Sequence, residues 1–85
     1  MIRNDIQIRF GAVAQQRRKA LGISQEELAH LTDLHRTYIS DVERGARNIS
    51  LQSMHKLAQG LRVSIADFFP KPAPEISDQN KLPPV

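Results

Sequence analysis

The sequence predicts an all-α domain of five short helices. Three observations lead there. Apolar residues recur at spacings of three and four, serines suited to capping stand before three of those runs, and no stretch alternates as a credible strand would.

The first helix is expected over residues 5–21, where Ile6, Phe10, Val13, Ala14 and Leu21 recur at helical spacing among Arg17, Arg18 and Lys19. Gly22 stops it, as glycine does just past a helix end. Ser24-Gln25-Glu26-Glu27 then has the form of a capping box, Ser24 accepting from a first-turn amide while Glu27 reaches back. A second helix of about eight residues follows, burying Leu28 and Ala29, with Leu31 a further candidate for burial. Thr32, Asp33 and Leu34 interrupt the pattern. It resumes at Ile39 and Val42, so a third helix of about nine residues starts near His35 and ends at Gly45. After a loop, Ser50 caps a fourth helix carrying Leu51, Met54, Leu57, Ala58 and Leu61. Ser64 caps a short fifth helix, residues 65–69, which Pro70 closes. All five prolines fall in residues 70–85, with Ser, Asp, Gln and Asn among them. That segment has too little apolar surface to offset its ordering entropy, so a disordered tail is expected beyond a domain of residues 1–69.

Eighty-five residues make one domain, since soluble domains run to roughly 100–150 residues and two cores will not fit. Without cysteine, the chain has neither a disulfide framework nor a thiolate metal site. It shows no charged-then-apolar leader and no apolar run near 18 residues, so a soluble, cytoplasmic protein away from membranes is expected. Three Phe and one Tyr are too few for the stacking platforms of many RNA and single-strand binders. The net charge of +3 and the pI near 9.8 permit nucleic acid without proving it. Distribution says more. Residues 1–69 hold ten Lys and Arg against seven Asp and Glu, and residues 70–85 hold two of each, so the excess belongs to the folded part.

The stretch from Gln25 to Arg44 carries the functional signal. Two helices of about eight and nine residues, joined by a three-residue turn, must cross steeply and bury Leu28, Ala29, Leu34, Ile39 and Val42 where they meet. The small Ala29 lets the third helix approach the second closely. The opposite face of the third helix carries Arg36, Thr37, Ser40 and Arg44, all able to hydrogen-bond. A helix with one greasy side braced and one polar side outward fits the major groove of B-DNA.

The pattern G-I-S-Q-E-E-L-A (22–29), R-T-Y-I-S-D-V-E-R-G (36–45) and N-I-S-L (48–51) resembles the Cro/repressor-type helix-turn-helix family over about residues 8–69, and within it most resembles restriction–modification controller proteins. The resemblance implies a lambda-repressor-like DNA-binding domain. It also implies a structural ion pair between Arg18 of the first helix and Glu43, the glutamate before R-G. One departure stands out: the family usually has glycine where this chain has Asp33, at a turn position that often goes left-handed. Asp tolerates that conformation at modest cost.

Resemblance and chemistry together suggest residue roles. Gln25, at the amino end of the second helix, is placed to grip a phosphate with its side chain and local amides. Arg36 and Thr37 begin the recognition helix, and an arginine there can pair bidentately with guanine O6 and N7. Thr37 offers a hydroxyl and a methyl, and Ser40, one turn on from Arg36, can read a base or bind phosphate. His35 is a helix-start residue and a candidate for base contact. Tyr38 can hydrogen-bond a phosphate or pack beside the turn. Arg44, Arg47 and Asn48 are placed to neutralise or hold phosphates. Asp41 would repel phosphate, so it is expected to read a cytosine amine or to pair with an arginine. The solvated-surface alternative stays open for each of these polar positions.

One recognition helix reads few base pairs, so a homodimer on a palindromic site is expected, with half-sites about 34 Å apart. Leftover apolar residues Ile49, Leu51, Met54, Val63, Ile65, Phe68 and Phe69 are the interface candidates. Two adjacent phenylalanines cannot both point inward on a short helix, so one is expected to meet a partner. His30, His35 and His55 fall on three different expected helices, and no H-E-x-x-H pattern, Gly-rich phosphate loop or nucleophile elbow occurs. The expectation is therefore a transcriptional regulator and not an enzyme, with double-stranded DNA and RNA polymerase as partners and no metal, cofactor or small-molecule ligand. Its rivals are an antitoxin or phage-type repressor with a protein partner, and an interaction module that never touches DNA.

Overall fold

The computed structural model describes residues 5–69. They form α1 (Asp5–Ala20), α2 (Gln25–Thr32), α3 (Arg36–Glu43), α4 (Leu51–Leu61) and a closing 3₁₀ turn (Ile65–Phe68), with no strand among them. The expected boundary between domain and Pro-rich tail, and the role of Pro70, lie outside these residues.

Local chemistry sets the helix ends. At α2, the Ser24 hydroxyl accepts from the Glu27 amide at 3.0 Å and the Glu27 carboxylate accepts from the Ser24 amide at 2.8 Å, completing the capping box. Ser50 accepts from the Ser53 amide at 3.1 Å to start α4. All four α-helices end alike: a residue in the left-handed region turns the chain, and the next amide donates back to a carbonyl five residues earlier. Gly22 does this after α1, with Ile23 donating to the Arg18 carbonyl at 3.4 Å. Asp33, at φ 60° and ψ 34°, does it after α2, with Leu34 donating to the Ala29 carbonyl at 3.1 Å. Gly45 does it after α3, with Ala46 donating to the Asp41 carbonyl at 2.9 Å. Arg62, at φ 63°, does it after α4, with Val63 donating to the Ala58 carbonyl at 3.0 Å. Asp33 is thus left-handed, as the turn requires. Arg62 carried no signal in the sequence, because Arg is not a residue that marks such turns.

The core is one cluster of Phe10, Ala14, Leu28, Ala29, Ile39, Val42, Leu57, Ala58, Leu61 and Phe68. α3 packs between α1 and α2, and α4 closes against α2 and α1. Two glycines set the closest approaches. A Cβ on Gly11 would stand 2.1 Å from the Val42 carbonyl oxygen, so α1 lies directly on the backbone of α3. A Cβ on Gly60 would stand 2.5 Å from Thr32 Cγ2, where α4 meets α2.

Four expectations change. Leu31 is 58% exposed, because Leu28, Ala29 and Thr32 already fill the inward arc of α2. Ile6 and Leu21 are exposed at the two ends of the α1 stripe. The expected fifth helix is a single 3₁₀ turn, too short to close α-helical bonds, and the Ser64 amide donates to the Asp67 carboxylate at 3.0 Å. Phe68 is fully buried, stacked on Phe10 with centroids 4.3 Å apart, so it is not available to a partner; Phe69 remains 39% exposed. The paired phenylalanines thus divide, one inward and one outward.

Gly11→Ala is expected to destabilise the domain by roughly 1–3 kcal/mol through overpacking, reversing the ~1 kcal/mol that alanine normally contributes in a helix. Thermal unfolding followed by circular dichroism checks this. An unchanged or raised Tm would contradict the close α1–α3 approach.

Candidate nucleic-acid interface

The turn Asp33-Leu34-His35 joins α2 to α3, and His35 is the N-cap of α3 without a side-chain capping bond. Ile39, Val42 and Glu43 face the protein and are buried. Arg36, Thr37 and Arg44 are exposed, and Ser40 and Asp41 are half-buried beside them. Helical geometry puts positions 36, 37, 40, 41 and 44 on one side, opposite the core-facing Ile39 and Val42. His35 is exposed at the start of this side, and Arg47 and Asn48 are exposed in the loop beyond its end. The surface is therefore a polar helix face flanked by cations. The three histidines do not assemble with carboxylates, and no group of metal-ligating residues occurs among the described residues.

Behind this face stands one carboxylate. Arg18 donates from Nε to Glu43 Oε2 at 2.7 Å and from Nη2 to Oε1 at 3.0 Å, a two-pronged pair with side chains 11% and 2% exposed. The same Oε1 accepts from Gln25 Nε2 at 3.0 Å and from Gln15 Nε2 at 3.4 Å. Arg18 Nη1 also donates to the Ile23 carbonyl at 2.9 Å. Glu43 therefore ties together α1, the α1–α2 loop, the first residue of α2 and the last residue of α3. Burial by itself would raise its pKa. The hydrogen bonds from Arg18 and Gln25, the charge of Arg18 and the Gln15 bond outweigh burial and leave it below the ordinary glutamate value. Glu43 in turn raises the Arg18 guanidinium, chiefly by the hydrogen bond, against the lowering effect of burial.

The structure separates the remaining candidates. The Gln25 side-chain amide, expected to grip a phosphate, is engaged by Glu43. Asp41 accepts from Arg44 and, at 3.2 Å, from Arg47, so of its two expected roles it takes the arginine pairing here. The Arg47 guanidinium lies 4.6 Å from the Tyr38 ring centroid, so this half-buried tyrosine supports a cation. Of the interface candidates, Leu51 is 70% exposed and Phe69 is partly so; Ile49, Met54, Val63 and Ile65 pack half-buried against the core edge. The exposed Ile6 adjoins Phe69, and both line a small groove with Phe10, Ile49 and Met54. Sequence reasoning missed Gln15 and the second arginine on Asp41. Residues 15 and 43 meet only through the fold, and Arg47 reaches Asp41 only by the path of the loop after α3.

A family model described as helix-turn-helix matches residues 15–68. The control protein C.BamHI of Bacillus amyloliquefaciens is 49% identical over 66 residues, covering 76% of this chain and 82% of that protein. The crystal structure of the restriction–modification controller protein C.AhdI from Aeromonas hydrophila superposes with TM-score 0.75 at 41% identity, covering 78% of this chain and all of that one. A third similar structure is the controller protein C.Esp1396I as a tetramer with its natural 35 base-pair operator; it has TM-score 0.72 and 36% identity, covering 78% of this chain and 87% of that one. The chain belongs to the helix-turn-helix family of transcription regulators and, within it, to the restriction–modification controller proteins. It is not an enzyme.

Because the folded pKa of Glu43 lies below its unfolded value, the stability it contributes is fully present above the ordinary glutamate range near 4.5 and is lost as pH falls through and below it. Glu43→Gln is expected to flatten the acid limb of a Tm-against-pH profile, and a parallel limb would show that Glu43 does not drive it. Glu43→Ala leaves the Arg18 guanidinium buried without its partner and is expected to cost ~3–5 kcal/mol, read by urea unfolding. A loss below ~1 kcal/mol would remove the clamp's importance.

Proposed function

We propose that this regulator binds double-stranded operator DNA as a homodimer, laying α3 of each protomer in the major groove of a palindromic site. The observation that carries the reading is the outward polar face of α3, held by a core that contains none of its polar residues. Arg36, Thr37 and Ser40 read base edges, with His35 at the helix start. The amino end of α2 at Gln25, together with Tyr38, Arg44, Arg47 and Asn48, positions the duplex through its phosphates. The exposed Leu51 and Phe69, bordered by Ile49, Met54, Val63 and Ile65, form the surface that meets the second protomer. No helix among the described residues is long and apolar enough to cross a membrane, and a regulator of this kind works in the cytoplasm beside its operator. Whether it represses or activates follows from where that operator lies relative to RNA polymerase.

Titrating wild-type chain onto duplex DNA at several salt concentrations tests the reading. Affinity falls steeply with salt for a phosphate-contacting protein, and absence of duplex binding would leave an interaction module instead. Arg36→Ala is expected to relax selectivity at one base position, at a cost of about 1–3 kcal/mol on the preferred site. Arg47→Ala is expected to weaken binding without relaxing selectivity at any single base position and to reduce the salt slope by about 1 per protomer. Indistinguishable behaviour of the two variants in a binding selection would contradict the division. Leu51→Asp with Phe69→Ser is expected to yield monomers in sedimentation equilibrium; a persistent dimer would place the interface elsewhere.

A further inference from the structure

Asp41 is a carboxylate on the side of α3 that faces the duplex in the proposed complex, where a like charge to phosphate is unfavourable. It accepts from two arginines at once: Arg44, one turn along the same helix, and Arg47, in the following loop. Arg47 is held a second time, over the Tyr38 ring. The pairs are exposed on their cationic side, with Arg44 and Arg47 side chains 63% and 43% accessible, and exposed pairs add little to fold stability. Their consequence lies in what they do to the arginines. Each loses the freedom to follow an arbitrary phosphate, and Asp41, Arg44, Arg47 and Tyr38 form one ordered array along the edge of the recognition face.

We propose that Asp41 is a specificity-determining positioning residue: it restrains Arg44 and Arg47 in the arrangement that fits the phosphates of the operator register and withholds them from phosphates in any other. The inference rests on the DNA-binding reading. In the correct register the array meets the backbone already ordered, and Arg36, Thr37 and Ser40 are brought to their bases without breaking it. On a random duplex, binding is essentially all phosphate charge, so the arginines must leave Asp41 to contribute, and the abandoned carboxylate then faces the backbone. Selectivity here comes from a penalty on the wrong complex rather than from extra attraction in the right one.

The test compares wild type with Asp41→Asn, which keeps side-chain size and removes the charge, on two probes: a random-sequence duplex, and the duplex recovered by the wild-type chain from a random library. The expected result is random-duplex affinity raised about three- to tenfold and a salt slope steeper by about 1 per protomer, with the selected duplex changed by about twofold or less. Selectivity therefore falls. In an Arg44→Ala/Arg47→Ala background the same Asp41→Asn change is expected to leave random-duplex affinity within about twofold, because nothing remains to be released. An equal gain in that background would reduce the effect to bulk charge and overturn the proposal. So would an unchanged random-duplex affinity, a gain of equal size on both probes, or a loss confined to the selected duplex, which would make Asp41 a base reader. Wild-type chain that binds no duplex would overturn both readings, whereas wild-type binding with an unaltered Asp41→Asn variant would overturn this one alone.

Discussion

The buried carboxylate of Glu43 is the point on which the recognition surface hangs. It accepts from Arg18, Gln25 and Gln15, and so joins α1, α2 and α3 at one place with every strong donor oriented toward it. A charge this far from water is tolerable only when its hydrogen bonds are made, and removing one partner leaves the other exposed to the full desolvation cost. The pairing therefore stabilises less than its geometry suggests, but it permits few alternatives. The last residue of α3 reaches both Arg18 and Gln25, so the carboxyl end of the helix is tied to α1 and α2 together.

Close packing completes the constraint. Gly11 lets α1 rest on the Val42 and Glu43 carbonyls, and Gly60 lets α4 rest on Thr32, so the helices around α3 stand nearer than side chains would allow. Thr32 is itself buried, with its hydroxyl donating to the Leu28 carbonyl at 2.7 Å, so it adds no unsatisfied polar group to the core. The left-handed Asp33 then turns the chain within three residues. With its inward side occupied by Ile39, Val42 and the paired Glu43, α3 has its remaining polar residues left on the outside. The reading surface is what remains after the core is filled.

Much of the site was legible because it is carried by short spacings. The capping box at Ser24 and Glu27, the break at Asp33 and the run from Arg36 to Gly45 each lie within one or two turns, where helical geometry alone relates the residues. The division of Phe68 from Phe69 was legible as a conflict and illegible as an outcome. Two neighbours on a single turn must diverge, but the choice of Phe68 for the interior depends on where the Phe10 ring lies in space. Asp41 was similarly open, because Arg47 reaches it only after the chain has passed Gly45.

Local pattern was enough to specify the class of fold, the helix starts, a turn between α2 and α3, and which side of α3 is polar. These follow from backbone capping and from the 3.6-residue period, which act over a few residues wherever the segment is placed. Tertiary structure alone decided that Gln15 and Gln25 share Glu43 with Arg18, that Leu31 lies outside, that Arg62 takes a left-handed turn, and that two arginines converge on Asp41. The Glu43 and Leu31 outcomes depend on distances between segments far apart in the chain, and the Arg62 and Asp41 outcomes on the path the chain takes as it leaves a helix. Such distances are set by the summed packing of all the helices, and no local pattern encodes them.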